Sequence, residues 1–396
     1  MIIKNKDIFF KPIFNSLLFV WILFIPMKTS FYQISYILMI IFFLIYISKK
    51  KLFIDFINML NNYRSILISF ILIILSMTIS NSLSDITTKS SWAVEFHYVF
   101  RYLFIFIILL FLYQQNFFTK KFILVSILIS IFIQSADGIY QAIFGIDFIK
   151  GQSGNLSTGL TGATFNRNIF GMFMAIGASI TIYILLFYEK LEIQKDNIII
   201  IFFSMLLFLC SILFSYSRAS WLFLATFVFL LLAISYKKVD KKLFLKISVI
   251  IVLIILLFLL NNNLLSRFDS LIKLESSHRF EIWLQSIELI KEKFFFGHGL
   301  LTYKTIGIKN IAGIHNSIIE LFLYLGLFGF IAYTYILWLV LKQIKLNRSS
   351  IQFALFFSFL VITQFDHSLM GITTLSSLTL FAFFIFAQRK HNNALQ

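Results

Sequence analysis

The chain has 396 residues, 60% of them hydrophobic and 13% charged, with 34 Lys and Arg against 17 Asp and Glu. Soluble enzymes run nearer half apolar and a quarter charged, so this composition excludes a water-soluble catalytic domain and implies a bilayer protein. The net charge of +17 does not point to nucleic acid, because the bases stand in short clusters between apolar runs and form no basic stripe.

Met1–Lys11 carries Lys4, Lys6 and Lys11 ahead of the first apolar run. No small-x-small cleavage step follows before Pro26-Met27-Lys28, which predicts an uncleaved first helix. A spanning helix uses about 20 mostly apolar residues. Runs of that kind predict twelve spans at approximately 12–27, 31–48, 65–81, 98–114, 121–141, 168–188, 197–215, 219–235, 243–260, 315–341, 351–366 and 369–388. The expected fold class is therefore all-α, a polytopic membrane protein of about twelve helices.

Most of the 34 bases, including Lys49-Lys50-Lys51, Lys120-Lys121, Lys237-Lys238, Lys342 and Arg389-Lys390, fall on the termini and the even-numbered loops. The positive-inside rule then predicts cytoplasmic termini and outward odd-numbered loops. Two outward segments are long, between Gln141 and Asn168 and between Leu260 and His315. In the second, Phe280, Trp283, Ile287 and Ile290 recur at helical spacing and Gly297-His298-Gly299 follows, which predicts an amphipathic interfacial helix closed by a glycine turn. The single cysteine, Cys210, supports neither a disulfide framework nor a thiolate metal site.

Ionisable groups beside membrane spans are costly and mark candidate function. Arg218, in Ser217-Arg218-Ala219-Ser220-Trp221-Leu222, is read either as an arginine reaching to lipid headgroups or as an anion clamp, since its planar fork matches phosphate oxygens. Arg279 opens the interfacial helix and allows the same two readings, or simple pairing with its neighbour Glu281. His315, in Gly313-Ile314-His315-Asn316, follows the longest loop directly and is read either as a helix-cap or interface residue or as a base, histidine being a residue type suited to proton transfer in a neutral compartment. Asn316 can orient a ligand without adding charge. The sequence shows no phosphate-binding Gly-rich loop ending in Lys-Ser/Thr and no His-Glu-x-x-His. Two arginines and one histidine on the outer side fit a reaction whose substrate brings its own pyrophosphate and needs a base; no metal or other cofactor is expected.

These residues resemble the O-antigen ligase and polymerase superfamily. The ligase pattern of Arg, three residues, then Leu is met by Arg218 and Leu222; His-Asn, nine residues, then Gly-x-x-Gly is met by His315, Asn316, Gly326 and Gly329. Arg279 ahead of Trp283, and Gly297 with Gly299, agree as well. Gly159-Leu160-Thr161-Gly162 to Gly171 resembles the Asn-Pro-Asn segment that precedes a span in the family, with Arg167 standing where Pro is usual. The motifs cover roughly residues 155–330.

The resemblance implies one integrated membrane domain: helices 1–9 over residues 1–260, a large periplasmic loop over 261–314, and helices 10–12 over 315–396. It implies transfer of a glycan from undecaprenyl diphosphate to a sugar hydroxyl of lipid A core at the periplasmic face of the inner membrane, by inversion and without metal. The partners would be the lipid-linked glycan donor, the lipid A-core acceptor and membrane lipid, with no nucleic acid. His315, Arg218 and Arg279 would be catalytic, and Asn316 and Arg167 substrate-binding. An O-antigen polymerase or a protein O-oligosaccharyltransferase using the same donor is the nearest alternative, and a transporter or flippase a more distant one.

Overall fold

The computed structural model describes residues 9–86, 88–154, 159–189, 191, 193–235, 279–301, 313–365 and 371–387, with isolated positions between 245 and 269. Among these residues the chain is helical apart from connecting segments and a single antiparallel bridge between Ile146 and Ser153. The helices are α1 (Phe10–Phe24), α2 (Ser30–Lys50), α3 (Phe53–Asn62), α4 (Arg64–Leu83), α5 (Lys89–His97), α6 (Phe104–Gln114), α7 (Lys120–Phe144), α8 (Arg167–Leu186), α9 (Lys195–Phe214), α10 (Arg218–Ser235), α11 (Arg279–Glu292), α12 (Ser317–Asn347), α13 (Ser350–Phe365) and α14 (Ile372–Phe386). A π-helical turn, Tyr98–Leu103, joins α5 to α6 without interruption.

Among the described residues, eight helical runs are long and apolar enough to cross a membrane, and α1, α13 and α14 are shorter apolar helices. All eleven overlie stretches in which the apolar runs predict a span. The stretch predicted at 243–260 lies outside the described residues apart from isolated helical positions such as Val249 and Val252.

The polarity of the helices explains why they belong in lipid. α4 buries Ser69, Ser76, Ser80 and Asn81 while exposing Ile68, Ile71, Leu72, Leu75 and Ile79. α2 likewise buries Tyr32, Ser35 and Tyr36 and exposes Ile34, Ile37, Ile41 and Leu44. In water such a helix would present its greasy side to solvent. In a bilayer, small and polar side chains pack between helices and aliphatic ones face the acyl chains. The protein is a multi-pass membrane protein.

The chain divides into two compact units. The first holds Met1–Ser126, His278–Asn347 and Ser368–Gln396. In it α1 packs along α2, α4 along α12, α11 along α12, and α14 along α6. Its core joins Ile73 and Met77 of α4, Tyr98 and Tyr102 of the π turn, and Leu321, Leu323 and Leu325 of α12, with Leu300 and Ile314 from the segments that precede α12. The second holds Ile127–Ser277 and Arg348–His367. There α8 packs on α9 and α10, and α10 on α13. Gly171 and Gly177 permit the approach: a Cβ at Gly171 would lie 2.5 Å from Ser220 Oγ, and one at Gly177 2.9 Å from the Phe208 ring.

Two features differ from the sequence expectation. α3 occupies a segment between the second and third predicted spans where no helix is expected; it is too short to register as a span. α12 runs from Ser317 to Asn347 but is broken at Gly326, whose φ of 63° and ψ of −162° are not helical.

Candidate active site

The His315 region is built by two backbones that interlock. After α11 the chain turns at Gly297, whose N–H donates to Lys293 O at 2.8 Å. His298 N and Gly299 N then donate to Leu323 O at 2.8 Å and Tyr324 O at 3.0 Å, while Leu327 N donates back to Phe294 O at 2.9 Å. The break in α12 frees these groups, and the turn satisfies them, as buried backbone donors and acceptors require. The approach is close enough to need glycine on both sides. A Cβ on Gly297 would stand 2.4 Å from Tyr324 O, and one on Gly326 would stand 2.4 Å from Phe295 O. Both glycines also carry positive φ, 71° and 63°.

α4 and α5 brace this junction. Ser80 Oγ donates to Tyr324 O and accepts from Gly299 N at 2.9 Å. Asn81 Oδ1 accepts from Leu300 N at 2.9 Å, its Nδ2 donates to Glu95 Oε2 at 3.0 Å, and Ser91 Oγ donates to Leu300 O at 2.6 Å. His298 Nε2 donates to Leu289 O at 2.8 Å, tying the turn to the end of α11.

The candidate catalytic residues of this unit sit on the elements so fixed. Arg279 is the first residue of α11 and half-buried. One turn later Trp283 donates its indole N–H to Ile314 O at 2.9 Å, immediately before His315. His315 is half-buried in a left-handed conformation, φ 56°. Asn316 Oδ1 then accepts from Ile318 N at 3.0 Å and Ile319 N at 3.1 Å, an N-cap that starts α12. Any substrate contact by Asn316 therefore rests on its Nδ2. Of the apolar stripe expected on α11, Trp283 and Ile290 pack on the core, while Phe280 and Ile287 are exposed.

Arg218 and Arg167 belong to the second unit, and the fold there brings their helix ends together. α9 and α10 meet in a turn of three residues in which Ser215 Oγ donates to Ile212 O at 2.6 Å, Tyr216 adopts φ 51°, and Ser220 Oγ donates to Ser217 Oγ at 2.8 Å. Arg218 follows as the first residue of α10. Leu160 N donates to Phe214 O at 2.8 Å, laying the segment before α8 on this turn. Gly159 is wedged in the join: its Cβ would meet Ser215 O at 2.7 Å, the Tyr216 ring at 3.2 Å and Arg167 Cδ at 3.3 Å. Asn166 caps α8, with Oδ1 accepting from Asn168 N at 2.8 Å, so Arg167 and Arg218 each open a helix on adjoining elements. The N-terminal ends of two helices, each opening on an arginine, adjoin there, and such ends favour an anion.

Sequence reasoning left Asp137, Asp147 and Gln141 without a role. They hold the segment that leads to Arg167. Asp137 Oδ1 accepts from Phe148 N at 2.8 Å, Asp147 Oδ2 from Gln152 N at 2.6 Å, and Gln141 Oε1 from both Thr161 N and Gly162 N at 3.0 Å. Lys150 Nζ donates to Ala163 O at 2.8 Å and lies 3.9 Å from the Phe165 ring centroid. Polar residues buried in α7 and spaced three or four apart were the available signal.

Residues 203–334 match the family model described as O-Antigen ligase. The match takes in Arg218, Arg279, His315, Asn316, Gly326 and Gly329, and begins after Arg167. No curated protein matches the chain.

Proposed function

We propose, from the membership of this chain in the O-antigen ligase/polymerase superfamily, that it is an O-antigen ligase. It moves O-antigen or a similar glycan from undecaprenyl diphosphate onto a sugar hydroxyl of lipid A core at the periplasmic face of the inner membrane. Twelve spans with both termini cytoplasmic put the loop that carries Arg279 on that face. The observation that carries this reading is the Trp283–Ile314 hydrogen bond. It ties α11, four residues after Arg279, to the residue directly before His315, inside the matched region.

The chemistry follows from the residue types. The acceptor hydroxyl attacks the anomeric carbon, the bond from that carbon to the diphosphate oxygen breaks, and a new glycosidic bond forms with inversion. His315 takes the hydroxyl proton. Charge develops on the departing diphosphate, and the guanidinium groups of Arg218 and Arg279 stabilise it. An arginine placed on a developing phosphoryl charge is worth about three orders of magnitude in related transfers. Asn316 and Arg167 contact substrate, and none of these steps calls on a metal ion.

The test is deletion of the gene and complementation. Loss of the protein is expected to leave bare lipid A core, restored by the wild-type chain but not by His315→Ala at equal membrane abundance. A core carrying a single repeat unit would instead identify a polymerase, and loss of glycan from protein a protein transferase.

A further inference from the structure

Away from the candidate catalytic residues, the first unit contains a cavity of about 390 Å³ between α2, α3 and α6. Its walls are aliphatic and aromatic, among them Leu44 and Ile47 of α2, Phe53 and Phe56 of α3, and Ile107 of α6. Polar character enters at one end only, through Ser48 and Lys51. Phe43, Phe56 and Phe111 pack edge to face at 5.5–5.6 Å and brace the wall.

The shape matches one class of molecule. Lining residues on α2 run from Ile40 to Ser48, about 12 Å at 1.5 Å per residue. One leaflet of hydrocarbon is roughly 15 Å deep. At the end of that length α2 stops in Lys49 and Lys50, and Lys51 turns the chain in a left-handed conformation, φ 53°, at the rim of the cavity. α3 departs from the same corner with Phe53, Ile54 and Ile57 exposed, as an interfacial helix does. An apolar slot nearly one leaflet deep, with Lys51 at its mouth and Lys49 and Lys50 just before it in the chain, is complementary to an anionic amphiphile.

We propose that this cavity holds one acyl chain of an anionic phospholipid, with the headgroup phosphate at Lys51. The proposal does not depend on glycan transfer; a chain without that activity would bind the lipid equally.

The purified protein in detergent is incubated with phosphatidylglycerol or phosphatidylcholine of identical acyl chains, and retained lipid is counted by native mass spectrometry. Wild-type protein is expected to keep several-fold more phosphatidylglycerol. Lys51→Gln is expected to lower that preference about fivefold, the effect of one lysine at an anionic surface. Leu44→Trp and Ile107→Trp, which fill the cavity, are expected to reduce retention of both lipids. Equal retention of the two lipids by the wild-type protein would overturn the headgroup assignment. Unchanged retention by a tryptophan variant with wild-type melting temperature would overturn the acyl-chain assignment.

Discussion

Trp283 donates its indole N–H to the carbonyl oxygen of Ile314 at 2.9 Å, so the residue one helical turn beyond Arg279 is bonded to the residue directly before His315. Two groups 36 positions apart in the chain thus share one rigid support. Trp283→Phe retains most of the packing against Phe280 and the core but leaves the buried Ile314 oxygen without this donor. The expected cost is about 1–3 kcal/mol of stability. Glycan transfer is expected to fall about tenfold at equal abundance, because a misplaced base loses rate steeply. A melting curve and a transfer assay on the same preparation check both numbers.

The glycines of the two interlocked backbones differ sharply in what they tolerate. Gly297→Ala and Gly326→Ala each place a methyl group 2.4 Å from backbone atoms at positive φ, and are expected to cost at least about 3 kcal/mol and to deplete the protein from membranes. Gly313→Ala meets nothing within 4 Å and is expected to be neutral. Immunoblotting of membrane fractions for the three variants checks the contrast.

These glycines also mark how far sequence carries. The apolar runs locate the helices, because a membrane span is a property of about 20 consecutive residues. The Gly-x-Gly and Gly-x-x-Gly spacings are visible as motifs, yet their reason is a contact between Phe294–Gly299 and Leu323–Phe328, which no local pattern encodes. The break in α12 escapes notice because Gly326 sits in an otherwise uninterrupted apolar run. Arg167 and Arg218 are likewise legible one at a time; the meeting of the helix ends that carry them depends on Gly159 lying against Ser215. The fold was therefore more legible than the candidate site, whose residues come from separate stretches.

Asn316 offers a separation of two roles. Asp at this position keeps an oxygen to cap α12 and removes the Nδ2 amide, whereas Ala removes both. Asn316→Ala is expected to lose about 1 kcal/mol of stability. Asn316→Asp is expected to melt as wild type while losing most transfer activity, since Nδ2 is the group assigned to substrate. Thermal melting beside a transfer assay resolves the two.

The anchoring of the segment before α8 gives a prediction remote from any proposed substrate contact. Gln141→Leu removes the acceptor shared by Thr161 N and Gly162 N. Residues 145–165 are expected to become more sensitive to limited proteolysis, and transfer is expected to fall several-fold through displacement of Arg167. Proteolysis and activity are measured on one sample, and loss of activity without added cleavage would argue against the anchoring role.

The arginines separate charge from geometry. Arg218→Lys and Arg279→Lys preserve the positive charge and lose the planar fork. Each is expected to reduce transfer by at least about tenfold with membrane abundance unchanged. Wild-type rates in both lysine variants would reduce the arginines to a general positive potential.

The most direct measurement is transfer by purified protein in detergent, given an undecaprenyl-diphosphate-linked glycan and lipid A core, with the product read by mass spectrometry. Wild-type protein is predicted to form a new glycosidic bond on the core, and folded His315→Ala to form none above background. Transfer by the His315→Ala variant at the wild-type rate would contradict the account.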